Sequence, residues 1–166
     1  MNKILSILSI TLSLITLCVF AYTYNNIPKF SYVKADVIFN DFKMTKELRA
    51  KLENTQSLRK NILDSLLVNI KLYTSTSADR RELEMLQKEY VMKKEMFESQ
   101  NDELSSKYNE EVWTRINQYV KDYSASKGYD YIFMVNAGNT LLYGSTKFDI
   151  SDEVLNSINK AYDDKH

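Results

Sequence analysis

The sequence predicts an α+β chain, mostly α, in which a long antiparallel helical hairpin projects from a small β-body that further copies must complete. Three observations predict it. Neither glycine nor proline occurs in the roughly hundred residues between Lys29 and Lys127, while Pro28 stands before that stretch and Gly128, Gly138 and Gly144 follow it. These are the strongest helix breakers, so their absence permits very long helices. Inside the stretch apolar residues recur at helical spacing, and beyond Gly128 they give way to dense β-type runs.

The first element is the apolar run Ile4 to Ala21, interrupted only by serine, threonine and Cys18 and preceded by Asn2-Lys3. Lys3 and the terminal amine favour an inside N-terminus. At about 18 residues the run is longer than a typical secretory core of about 7–15 and shorter than a spanning helix of about 20. Val19-Phe20-Ala21 is a weak cleavage signal, so a removed leader and a retained anchor both stand. Lipidation of Cys18 is disfavoured by bulky Leu17. Each alternative carries the rest of the chain across a membrane.

After Pro28, Phe30-Ser31-Tyr32-Val33 reads as a short strand. One helix is predicted from about Asp36 to Tyr73, with Leu48, Leu52, Ile62, Leu66 and Ile70 on its apolar face and Leu63 and Leu67 beside them. Thr74-Ser75-Thr76-Ser77 forms the tip, and Asp79 with Glu82 suggests a capping box that starts the second helix. That helix carries Leu83, Tyr90, Phe97 and Leu104 at seven-residue spacing, with Leu86 as a d-type partner and Lys93 and Gln100 interrupting the seam. Some forty residues at about 1.5 Å each make a rod of about 60 Å. A rod that long must stand out from any compact body of this size.

Beyond Gly128, Tyr131-Ile132-Phe133-Met134-Val135 and Thr140-Leu141-Leu142-Tyr143 are predicted to pair as a β-hairpin around Asn136-Ala137-Gly138-Asn139. Asp149 to Glu153 open a last amphipathic helix with Val154, Leu155 and Ile158. The expected division is residues 1–24 as leader or anchor, 25–35 with 128–166 as the body, and 36–127 as the hairpin. So small a sheet, apolar on both faces, cannot bury itself alone, which predicts oligomerisation through Tyr32, Val33, Tyr131, Ile132, Phe133, Val135, Leu141 and Leu142.

The ordered set resembles the Skp/OmpH family of periplasmic chaperones. The likeness lies in Tyr32 to Phe42, Lys46-Glu47-Leu48 and the hairpin, then Gly128 to Ile132, Leu141-Leu142-Tyr143, and Phe148 to Leu155. It implies a homotrimer whose three hairpins, or tentacles, enclose a cavity holding unfolded outer-membrane proteins without ATP. No phosphate-binding glycine loop is present. Two features depart from the family: this chain is neutral where the best-known members are basic, and its apolar N-terminal run can stay attached.

Holding many clients needs adaptable apolar surface, which flexible methionines supply. The candidates are Leu72, Tyr73, Met85, Met92 and Met96. For Met92 and Met96, facing the cavity and filling the helix seam are equally open, whereas Phe97 and Trp113 are expected to pack. Arg80 and Arg81 read as a solvated helix start. With 22 basic and 22 acidic residues the net charge is zero, which speaks against a nucleic-acid partner. One cysteine and one histidine, His166, leave no disulfide, zinc or haem set, and no cofactor is expected. No histidine or lysine is placed to activate a nucleophile, so an enzyme is disfavoured. The competing class is a membrane-anchored coiled-coil adaptor of the envelope.

Overall fold

The computed structural model describes residues 2–75, 80–136 and 141–165. In chain order they form α1 (Asn2–Asn25), β1 (Phe30–Lys34), α2 (Ala35–Asp41), α3 (Lys43–Ser75), α4 (Arg80–Lys127), β2 (Tyr131–Val135), a 3-10 turn (Thr146–Phe148) and α5 (Ser151–Asp163). Helices α3 and α4 make the long antiparallel hairpin, and α3 against α4 is the most extensive contact between elements.

The predicted single helix over 36–73 is broken at Phe42, whose backbone turns extended (φ −65°, ψ 130°) between α2 and α3. The break lets Phe42 swing inward until it is fully buried. Its ring meets Tyr119 and Tyr162 edge-on, with centroids 6.2 and 5.5 Å away. The Lys43 N–H, orphaned at the restart, donates to Asn159 Oδ1 at 2.8 Å, so α5 caps α3 from outside its own sequence. The local sequence shows none of this, because neither glycine nor proline stands near Phe42 to mark a break.

The predicted β-hairpin is not formed as expected. Leu141 to Tyr143 are not strand, and the turn at 137–139 and Thr140 lie outside the described residues. β2 instead pairs in parallel with β1, in the register Phe30↔Tyr131 to Lys34↔Val135. A parallel pair needs a long crossover, and the whole hairpin supplies it. The other edge of β1 is bridged by Asp149, and the Ile150 N–H donates to Tyr32 O at 3.0 Å. At the tip, Thr74 and Ser75 belong to α3, and Thr76, Ser77 and Asp79 fall outside the described residues. Gly128 ends α4 at φ +68°, the left-handed position that favours glycine.

The core is larger than the predicted body. Val33, Ile38, Phe42 and Met44 meet Val112, Ile116, Tyr119 and Tyr123 of α4 and Ile150, Val154, Ile158 and Tyr162 of α5. The base of α4 therefore belongs to the packed body, and the chain itself buries one face of the sheet. The expectation that neither face can be covered within one copy therefore fails for this face, while Tyr131 and Phe133 on the other stay exposed among the described residues. Among the described side chains every buried core residue lies between Val33 and Tyr162, and none of these belongs to α1.

Polar ties at the rim join elements distant in sequence. Burial pushes the Tyr123 and Tyr162 hydroxyls up to about 12, aided by their hydrogen bonds to Glu153 (3.0 Å) and Glu47 (2.8 Å). Burial also pushes the Asp149 carboxyl up, but hydrogen bonds from Lys34 (2.8 Å) and Ser151 (2.6 Å) outweigh it and hold it below its ordinary value.

Two outcomes follow from this packing. Phe42→Ala removes the inserted ring and costs about 3–5 kcal/mol in denaturant unfolding; a loss below about 1 kcal/mol contradicts the insertion. Asp149, with its value lowered by folding, adds stability above about pH 4 that vanishes as pH falls through the folded value. Asp149→Asn is therefore less stable at pH 7, and its stability changes less with acidification below about pH 4 than that of the unaltered chain.

Candidate functional site

Apart from α1, two surfaces leave apolar side chains exposed among the described residues: one face of the tentacle and the outer face of the sheet. On the tentacle, the seam is built from Leu48, Leu52, Thr55, Arg59, Leu63, Leu66, Ile70 and Tyr73 of α3. Facing them are Leu83, Leu86, Tyr90, Lys93, Phe97, Asn101 and Leu104 of α4, and nearly all of these residues are only half-buried. Ile62, predicted on the seam, is 44% exposed. Seam spacing stays near 3.5 residues toward the tip, where the heptad was read, and stretches through Tyr108, Val112 and Ile116 at the base.

Arg59 crosses the middle of the seam. It donates to Gln100 Oε1 at 2.8 Å and to Asn101 Oδ1, and its guanidinium stands 5.5 Å from the Phe97 ring centroid. The interruption noticed at Gln100 is thus one part of a polar layer in which Asn101, not Gln100, takes the seam position. Beyond it the two helices are held by half-buried contacts and by Tyr73 Oη donating to Glu82 at 3.0 Å, a bond that raises the tyrosine pKa.

Outside the seam, Leu58, Ile62, Val68 and Leu72 of α3 and Met85, Met92 and Met96 of α4 are exposed, from 44% at Ile62 and Met96 to 65% at Met85. At about 100° per residue, Leu58, Ile62 and Leu72 on α3 and the three methionines on α4 lie roughly 120° from their own seams in the same angular sense. In an antiparallel pair, equal displacements of one sense fall on one side. These six side chains therefore share a single face of the hairpin, with Val91 on the opposite face and Val68, about 200° from both Leu66 and Ile70, on the back of α3. The methionines are thereby placed off the seam, while Tyr73 is in it. Leu58 and Val68 were not singled out by sequence reasoning, and Ile62 was assigned to the packed face; the signal was present in Leu58–Ile62 and Val68–Leu72, two four-residue steps out of phase with the seam.

The second surface lies on the body. Alternation along the paired strands sends Ser31, Val33, Ile132 and Met134 inward and Phe30, Tyr32, Tyr131, Phe133 and Val135 outward. Val33 is only 1% exposed and belongs to the chain's own core, whereas Tyr131 and Phe133 remain more than half exposed and stack on each other at 6.3 Å. Leu141 and Leu142 are exposed beside them. Phe30, Tyr32, Phe133, Leu141, Tyr143 and Phe148 line an open, almost wholly apolar groove of about 370 Å³. Gly144 closes its end: a Cβ there would lie 2.6 Å from Tyr32 Cε1, and Tyr32 Oη donates to Gly144 O at 3.3 Å.

A small α/β body carrying a long hairpin with one apolar face defines the class of this protein. Residues 29–158 match the family described as outer membrane protein (OmpH-like). The chain belongs to that family, whose members are periplasmic and in general not enzymes. It is similar in fold to a Caulobacter crescentus CB15 protein described as a candidate OmpH-like outer membrane chaperone. The two share 12% identity at a TM-score of 0.52, over 81% of this chain and 86% of the other. No curated protein matches the chain.

The graded burial of the hairpin predicts graded opening. Amide exchange should slow from tip to base, and Arg59→Ala should accelerate it about tenfold beyond the polar layer, for a loss near 1.4 kcal/mol, while the base is unchanged. Uniform protection along α3 and α4 contradicts this.

Proposed function

We propose that the chain is an ATP-independent holdase that binds unfolded outer-membrane proteins in the periplasm as a homotrimer. The observation that carries the reading is the shared apolar face of Leu58, Ile62, Leu72, Met85, Met92 and Met96. Six apolar side chains on one side of a projecting rod are 44–65% exposed. Three are Leu or Ile with branched shapes, and three are methionines that repack around varied segments. Each adds up to about 1.5–3 kcal/mol when a client covers it fully. Together they suffice for retention without any single strong contact.

The aromatic outer face of the sheet supports association of copies. Tyr131, Phe133, Leu141 and Leu142 require cover that one chain does not provide, and three bodies meeting there would set three tentacles around a common space. The neutral charge leaves this cavity less dependent on attraction of basic or acidic clients and more on apolar contact. The adaptor reading is weaker, because the polar layer at Arg59 and the half-buried distal seam make a poor rigid spacer.

A chain beginning at Ile27 keeps every core residue and is suited to the test. Mixed with a denatured outer-membrane protein, it should delay the rise of light scattering at one trimer per client. Replacing Met85, Met92 and Met96 together by serine should weaken that effect about tenfold or more, with unchanged helicity, since all three are exposed. Absence of any delay at excess trimer refutes the holdase reading.

A further inference from the structure

The family match begins at residue 29, and among the described side chains the core takes none from α1, so this helix needs its own account. We propose that α1 is retained as a membrane anchor and seats the body directly on the periplasmic surface of the bilayer that it spans.

The helix has 24 residues, about 36 Å at 1.5 Å each, against a hydrocarbon core of about 30 Å. Its window Ile7–Tyr24 has a mean hydropathy of 1.9, and no residue of it is buried against the protein. It is apolar all round, which separates it from a helix lying in the interface with one polar face. The hydroxyls of Thr11, Thr16 and Thr23 donate to the carbonyls of Leu8, Ser13 and Phe20 at 2.8–3.0 Å, so they need no water. Tyr22 and Tyr24 stand at the outer end, where amphipathic rings meet headgroups. The one small-residue signal for removal, Val19-Phe20-Ala21, lies within the helix, which continues to Asn25, and no second signal follows before Pro28.

The join to the body is equally informative. Only Asn26 to Lys29 separate α1 from β1, a span of at most about 14 Å. Lys29 is fixed at the foot of α4: its N–H donates to Asp130 Oδ2 at 2.7 Å and its Nζ to Lys127 O at 2.9 Å. The start of α4 is at the tip, 48 residues or about 70 Å away. The bilayer therefore meets the pole opposite the tentacle. That pole presents exposed Ile27 and Phe30, with Phe30 packed on Phe148 at 5.6 Å beside Lys147, and the cations Lys29 and Lys127. Apolar side chains mixed with lysines suit a headgroup layer. The anchored tip would sweep a shell about 70 Å deep next to the membrane from which secreted chains emerge.

The test uses the full chain expressed in a Gram-negative cell. Intact mass of the protein extracted from envelopes should match all 166 residues, less at most Met1, and the protein should stay with membranes through alkaline carbonate. A mature form lacking α1, or a full-length form released by carbonate, overturns the proposal. The inference is independent of the holdase reading: a failed scattering assay leaves it standing, and a removed α1 leaves the holdase standing.

Discussion

Everything in this molecule depends on how the foot of α4 is clamped. Ile116, Tyr119 and Tyr123 are buried in one cluster with Phe42, Val154, Ile158 and Tyr162. Among its described residues the distal hairpin has no buried residue of comparable kind, since its seam is half-buried and crossed by Arg59. A rod of that length, held only along itself, would wander relative to the body. Its aim is set where it is rooted, by apolar burial that contributes several kcal/mol among these side chains. The rim bonds from Tyr123 to Glu153 and from Tyr162 to Glu47 add direction to that burial, tying α4 to α5 and α5 to α3.

The same asymmetry explains how a soluble hairpin tolerates an apolar face. The base uses its apolar residues for folding, while the distal part holds enough of them in the seam to stay helical and leaves others outside. Charged neighbours such as Arg80–Glu84 and Lys94–Glu98 are exposed pairs that contribute little to stability but keep the surface solvated. Apolar surface distributed in this way, with methionine prominent, is adapted to weak and repeated contact. Firm sequence-specific docking would need a fixed pocket with converging polar groups. On the body the arrangement is reversed: Tyr131, Phe133 and the groove beside them are compact and largely aromatic, as befits a surface that repeated copies of one chain could share.

Much of the architecture was legible because it rests on strong local signals. The long gap without glycine or proline, the heptad from Leu83 to Leu104 and the β-rich run at Tyr131 translate directly into α3, α4 and β2. What stayed hidden depends on partners far away in sequence. No helix breaker stands beside Phe42, and only Tyr119, Tyr162 and the capping Asn159 make the break worthwhile. The strand partner of β2 lies about a hundred residues upstream in β1, whereas the turn-like Asn136 to Asn139 argued for a local hairpin. On the tentacle, the methionines were recognisable by residue type, but their side of the rod required the seam to be known first. Ile62 illustrates the difficulty: it stands next to Leu63, and one position separates the seam from the open face.

The central claim is that one side of the tentacle, and not the other, meets unfolded chains. Position 92 lies on the methionine face and the adjacent position 91 on the opposite face, each about half exposed or more. A photo-crosslinking side chain placed at each, in the presence of a denatured outer-membrane protein, separates the two directly. The account predicts strong crosslinks to the client from position 92 and few from position 91. Equal yields from both, or a preference for 91, would contradict it.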